Sequence, residues 1–405
     1  MRTLKKMRRL GLGAVLACSA VAGCGGDDAL SAPDPPSGDL PDGGQAPEPG
    51  CTDGVLQHGA LYRICFPATW NGRLVLYAHG YVAPDEVLTL PDDGIGGQSI
   101  SATVTELGYA FATTSYRSNG LVAADGSDDL VELMDTVEQR YTPDPQRTAI
   151  IGFSEGGLVA ALAAERHPDR FDGALAACGP VGDFRAQLEY IGDFRVVFDY
   201  LFPGVLPGSP IDVPKSLRDR WDDIYVPAII VSLAANPAAA RELIAITGAP
   251  VAGSDLRSVA ETAVGLLWYN VFGTADAQER LGGQPLDNSS RVYGGSSDDE
   301  ALNRGVVRFS ADPVARDALS RFETTGALTV PLALLHTRGD PIVPFSQAAT
   351  YSAKVSAAGA GARLSEVPFD RYGHCTFEAS EVLGAFTSLW AMIDAPVAAT
   401  SLTRR

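Results

Sequence analysis

Short apolar runs alternate with helix-patterned segments along most of this chain, and that alternation restricts the fold more than any other feature. ALYRICFP (60–67), RLVLYAHG (73–80), AFATTSY (110–116), RTAIIGF (147–153) and FDGALAAC (171–178) read as strands. Between the later ones lie QSISATVTELGY (98–109), DDLVELMDTVEQRY (128–141) and EGGLVAALAAERHP (155–168), which read as helices. The second carries acids in its first turn, where the helix dipole favours them, and Pro168 stops the third. Such an order predicts an α/β fold, a mostly parallel central sheet with helices on both faces.

After Cys178 the alternation lapses for about 150 residues. Segments 185–203, 215–247, 253–280 and 311–324 have a mainly helical pattern broken by Pro and Gly. They predict a helical cap, 182–326, inserted into a core made of 51–181 and 327–397. Strand and helix patterns return in VPLALLHTRGD (330–340), FSQAATYSAKVSAAG (345–359), ARLSEVPF (362–369) and FEASEVLGAFTSLWAMI (377–393), with no internal repeat.

The strand-to-helix junction at Gly152-Phe153-Ser154-Glu155-Gly156 carries the first chemical signal. Glycines on either side of a serine permit a tight, strained turn that thrusts the hydroxyl out at a helix N-terminus. A turn serine with no chemistry is the alternative, so the rest of the chain must supply a base, an acid and an oxyanion site. Five histidines are available. His58 precedes the sheet, His79 belongs to a strand end, His167 ends a helix and His336 lies inside a strand. His374, in the RYGHCTF loop after the last strand, has the position a base needs. Asp340 ends a strand on the edge where the serine emerges and is preferred as the acid over Asp183 and Asp370. The two oxyanion donors are expected from the backbone N–H groups of Glu155 and of Tyr81, in the loop after LVLYAHGY.

With nucleophile, acid, base and His79-Gly80 element in that order, the chain resembles the α/β-hydrolases from about residue 54 to 395. The resemblance implies a serine hydrolase that works through an acyl-enzyme, with Ser154, Asp340 and His374 as its triad and no cofactor or metal. Of the three pairings open to Cys51, Cys65, Cys178 and Cys375, it favours Cys178–Cys375, which pins the histidine loop to the sheet edge, beside Cys51–Cys65, which closes a short N-terminal loop. Feruloyl esterases and tannases also place a cysteine beside the histidine, but its partner there precedes the serine, where this chain has Phe153.

Carboxylic esters, small or polymeric, are the expected substrates. A secreted prolyl-oligopeptidase-like peptidase, which shares the Gly156-Gly157 run, is the second reading, and a non-catalytic surface-binding protein is the third. Tyr116, Arg117 and Asn119 leave a strand at the active-site edge and are candidate substrate contacts. The aromatic stretches 188–210 and 264–273 either roof an apolar cleft or form the cap's own core.

The first 23 residues hold five bases, no acid and a short apolar run, the pattern of a signal peptide. Their end, Val21-Ala22-Gly23-Cys24, resembles a lipobox, with Cys24 lipidated and residues 24–50 as a Pro-, Gly- and Asp-rich tether. An exported lipoprotein of the outer membrane or cell surface is expected, in contact with the membrane through that anchor alone. Taking the leader's five bases from the chain's 31 leaves 26 against 49 acidic residues, which argues against a nucleic-acid partner. The acidic clusters DGSDD (125–129) and GGSSDDE (294–300) lack the spaced ligands of a calcium loop and read as solvated loops.

Overall fold

The computed structural model describes residues 46–253 and 255–395, all within one compact unit spanning Leu40–Arg405. The signal peptide, Cys24 and most of the tether lie outside the described residues. The described residues form an eight-stranded sheet from β1 (Gly50–Val55), β2 (Leu61–Phe66), β3 (Arg73–Ala78), β4 (Ala110–Thr114), β5 (Arg147–Phe153), β6 (Gly173–Ala177), β7 (Leu332–Gly339) and β8 (Leu364–Tyr372). Their spatial order is β1-β2-β4-β3-β5-β6-β7-β8. Pairing is parallel from β4 through β8, and β2 runs antiparallel to β1 and β4. This is the sheet that the strand–helix alternation predicts.

Burial explains the reading of each strand. All residues of β4 and β6 are buried, so β6 appears in the sequence as an unbroken run of small and apolar residues, and β4 as an apolar start followed by two buried threonines, of which Thr113 donates to Tyr77 O. Edge strand β8 is at most half buried along its length and mixes polar residues with Leu364, Val367 and Phe369, which pack on the core. One face of the sheet is covered by α2 (Ala123–Arg140) and α3 (Glu155–Arg166), through Leu130, Leu133, Leu158 and Leu162. The other is covered by α1 (Ile100–Glu106) and the C-terminal helix Ala379–Asp394, through Val104, Phe386, Leu389 and Trp390.

Between β6 and β7 the chain forms helices and, among the described residues, no strand. These are α4 (Phe184–Leu201), α5 (Lys215–Asp219), α6 (Val226–Ala235), α7 (Pro237–Thr247), α8 (Leu256–Leu281), α9 (Asp299–Gly305) and α10 (Pro313–Ala318). After β7 comes α11 (Ser346–Ala357), and Ala379–Asp394 is α12. No single helix among the described residues is long and apolar enough to cross a membrane.

Of the two acidic clusters, GGSSDDE is the exposed loop expected, running into a helix at its last two residues, and DGSDD is not a loop. DGSDD lies inside α2, where Asp129 is buried and accepts hydrogen bonds from Arg117 N and Nε at 2.9 and 2.7 Å. That helix begins five residues before its DD pair because Glu155, far along the chain, accepts from Val122 N and Ala123 N in place of a local cap. In GGSSDDE, Asp298 caps α9 by accepting from Ala301 N at 2.9 Å, and Asp299 accepts from Ser296 N at 2.8 Å.

Candidate active site

The turn from β5 into α3 holds Ser154 at φ 58° and ψ −126°, a left-handed conformation that a non-glycine residue keeps only when its surroundings enforce it. They do so by close approach. A Cβ on Gly152 would stand 1.9 Å from Gly156 O, and one on Gly156 would stand 2.0 Å from Ala78 O. Ser154 N donates to Ala177 O at 2.9 Å, tying the elbow to the neighbouring strand.

His374 Nε2 lies 2.8 Å from Ser154 Oγ, and its Nδ1 lies 2.7 Å from Asp340 Oδ2. Since a carboxylate only accepts, Nδ1 carries the ring proton and Nε2 is left as the acceptor for the serine hydroxyl. Asp340 is fully buried, and its other oxygen accepts from Ile342 N and Val343 N at 2.9 and 3.0 Å. His336, which the sequence places inside a strand, bonds Val343 O through Nε2 at 2.8 Å and so braces the same loop. Burial lowers its pKa and keeps it neutral.

Several clamps fix the histidine loop. Cys375, next to His374, is bonded to Cys178 at the end of β6. Thr337 Oγ1 donates to Gly373 O at 2.7 Å, and Gly373 N donates to Gly339 O at 3.0 Å. Helix α4 steadies the acid side, with Tyr190 Oη donating to Pro341 O and Gln187 Nε2 to Ile342 O, both at 2.8 Å.

The other candidates for base and acid are held elsewhere. His58 Nδ1 meets Glu132, His79 Nδ1 meets Gly80 O, and His167 faces Asp128. Asp183 caps α4 by accepting from Ala186 N, and the exposed Asp370 pairs with Arg338. Gly80 lies so close to the elbow that a Cβ there would be 3.9 Å from Ser154 Oγ, which brings Tyr81 beside the serine.

A cavity of about 120 Å³ opens at Ser154, lined mainly by apolar side chains from the core and from α4 and α8, with Tyr81, Glu155 and Tyr269 near the serine. Tyr269 is a site residue that motif reading could not single out. It sits in the aromatic stretch of α8, and only the folded cap brings its hydroxyl to Ser154. Tyr81 packs against Trp268 and Tyr269, so part of that stretch does roof the site. Glu155 is buried, and loss of hydration pushes its pKa up to about 8.

Tyr116, Arg117 and Asn119 do not line this cavity. Tyr116 is buried with its ring against His79 and its hydroxyl on His79 O. Arg117 pairs with Asp129, and Asn119 Nδ2 donates to Glu86 O at 2.8 Å. Their polar groups are spent on packing the loop after β4, which is why they are not presented to a ligand.

The sequence model of the prolyl oligopeptidase family matches residues 104–190, the part that carries the elbow. No curated protein matches the chain. Among solved structures, feruloyl esterase B from Aspergillus oryzae is 13% identical, with TM-score 0.49, over 80% of this chain and 74% of that one. An esterase from Pyrococcus furiosus is 13% identical, with TM-score 0.43, over 85% of this chain and 91% of its own. The acylaminoacyl peptidase of Pyrococcus horikoshii is 13% identical, with TM-score 0.37, over 81% of this chain, which spans 37% of that protein.

Proposed function

We propose that this chain is a serine hydrolase of the α/β-hydrolase type and that it hydrolyses carboxylic esters of short acyl groups. The observation that carries the reading is the connected Ser154–His374–Asp340 array at the mouth of a small, apolar cavity. A cavity near 120 Å³ is slightly smaller than the ~150 Å³ void known to hold benzene, which suits an acyl chain of about four carbons.

In this mechanism Ser154 Oγ attacks the ester carbonyl while His374 Nε2 takes its proton. The tetrahedral oxyanion is received by the N–H groups of Glu155 and Tyr81. His374 then protonates the leaving alcohol, which departs and leaves an acyl-Ser154. Water, deprotonated by His374, attacks the acyl carbon, and the acid leaves as Ser154 regains its proton. Asp340 stays ionised and stabilises the imidazolium.

Peptide-bond hydrolysis is the second reading, favoured by the prolyl oligopeptidase match over 104–190. The test is turnover of p-nitrophenyl butyrate, p-nitrophenyl palmitate and a prolyl-anilide peptide by the wild type and Ser154→Ala. Butyrate turnover that vanishes in the variant is the expected result, and anilide turnover alone would replace the esterase with the peptidase.

The leader reading completes the proposal. Export and lipidation at Cys24 would tether the hydrolase at the outer membrane or cell surface, and the two disulfides suit an oxidising compartment.

A further inference from the structure

Two glycines sit inside helix α8, and packing accounts for one of them. A Cβ on Gly265 would stand 2.9 Å from Ile342 Cδ1, so a side chain there would push on the acid loop. Gly192 in α4 is packed in the same way, since a Cβ there would be 2.5 Å from Leu286 Cδ1. Gly273 differs. A Cβ on it would meet, within 4 Å among the described residues, only Tyr81 Oη, at an ordinary contact distance of 3.8 Å. Its backbone is that of a right-handed helix, which does not call for glycine. Glycine stands here although it weakens a helix interior relative to alanine, through the backbone freedom it loses on folding.

The open side of Gly273 faces the cavity at Ser154. Tyr269, one turn before it, and Ala277, one turn after, share its helix face, and all three line that cavity. Tyr269 brings its hydroxyl to Ser154, so the space beside Gly273 lies one helical turn, about 5 Å, farther along α8. Tyr81 forms the opposite wall. Its hydroxyl donates to Phe272 O at 3.4 Å and its ring packs against Trp268 and Tyr269, which holds it out of the space.

We propose that Gly273 is a specificity-determining residue of the acyl pocket, and that the space beside it receives the acyl chain beyond its second carbon. The proposal rests on the esterase reading and deepens it. A two-carbon acyl group on Ser154 ends before that space, whereas a four-carbon one extends into it. A methyl group on residue 273 would take up the same room, and one methylene more or less in a hydrophobic pocket changes kcat/KM by about 10–200-fold. The helix gives up stability and the pocket gains width.

The experiment reads two quantities in the wild type, Gly273→Ala and Gly273→Val. The control is Gly384→Ala, at an open helix glycine on α12 that does not line the cavity. The first quantity is the kcat/KM ratio of p-nitrophenyl butyrate to p-nitrophenyl acetate. It is expected to fall about tenfold or more in Gly273→Ala and further in Gly273→Val, while Gly384→Ala keeps the wild-type ratio. The second is the thermal midpoint, expected to rise by about 1–3 °C in Gly273→Ala and Gly384→Ala alike. A ratio that holds in both Gly273 variants overturns the proposal. So does a lowered midpoint in Gly273→Ala, which would place the glycine there for packing. If the wild type turns over no ester, the esterase reading fails by itself. The pocket is then judged by calorimetry with methylboronic and propylboronic acids, whose boron accepts the Ser154 Oγ lone pair as the hydroxyl proton passes to His374 Nε2. The wild type must bind the propyl compound more tightly and Gly273→Ala must erase that advantage. An advantage that persists in the variant, or is missing from the wild type, overturns the proposal.

Discussion

Ser154 depends on its glycine neighbours for its place, and Asp340 depends on the backbone N–H groups of Ile342 and Val343 for its orientation. Each can be tested by one atom's change. Gly156→Ala would place a methyl 2.0 Å from Ala78 O, so it should cost several kcal/mol and lower the urea midpoint sharply, whereas Gly384→Ala, with open space around it, should not. Asp340→Asn retains acceptors for Ile342 and Val343 but can present an amide N–H to His374 Nδ1. The wrong tautomer is then favoured, and kcat should fall about 10³–10⁴-fold with KM little changed. Glu155 makes a prediction about stability. Burial raises its folded-state pKa from 4.5 to about 8, so across that window the folded protein holds more protons than the unfolded one and stability falls as pH rises. Glu155→Gln should flatten that decline by up to about 1.4 kcal/mol per pH unit in urea unfolding series between pH 5 and 8. At this scale the elbow and its partners were legible in the sequence because each has a local motif or a loop position. Tyr269 and Gln187 were not, since nothing within a helix distinguishes a side chain facing the cavity from one packing the cap. Tyr116, Arg117 and Asn119 show the opposite failure: polar residues at a strand end near a site are consumed by neighbours that only the fold supplies.

Elements, rather than single residues, hold the two catalytic loops together. Helix α4 from the inserted segment grips the acid loop through Tyr190 and Gln187, while Thr262 on α8 meets Tyr372 Oη at 2.9 Å beside the histidine loop. The helical segment therefore covers the site and also braces it. Tyr190→Phe should lower kcat while leaving the unfolding free energy within about 1 kcal/mol, and stopped-flow acylation would show the loss in the chemical step. The disulfides divide the same way. Cys51–Cys65 joins paired positions on β1 and β2, where β1 is an exposed edge, so its removal should leave activity largely intact. Cys178→Ala/Cys375→Ala should lose most Ser154-dependent turnover while far-UV circular dichroism stays native, because the sheet does not need the bridge and the histidine loop does. Element positions were readable from strand and helix periods, yet helix α9 was hidden at the end of an acidic, glycine-rich loop, where Asp298 acts as its cap. The start of α2 was hidden for a related reason, its cap being supplied from α3.

For the whole molecule, the order of strand, helix and inserted helices was legible because a parallel sheet needs both faces covered and its central strands are mostly apolar. The cavity's size was not, because it arises where two separate parts of the chain meet. A further consequence comes from the Cys178–Cys375 bond, whose partners stand 197 residues apart. That bond closes a covalent ring containing the entire inserted segment, β7, the acid and the base. A protease that cuts the backbone once anywhere inside the ring opens it without separating a fragment, so the elbow and the histidine remain tied through sulfur. Limited trypsin treatment should thus yield a clipped enzyme that runs as one band until it is reduced and keeps its turnover until then. The bridge thus keeps the elbow and the histidine on one covalent molecule after a cut.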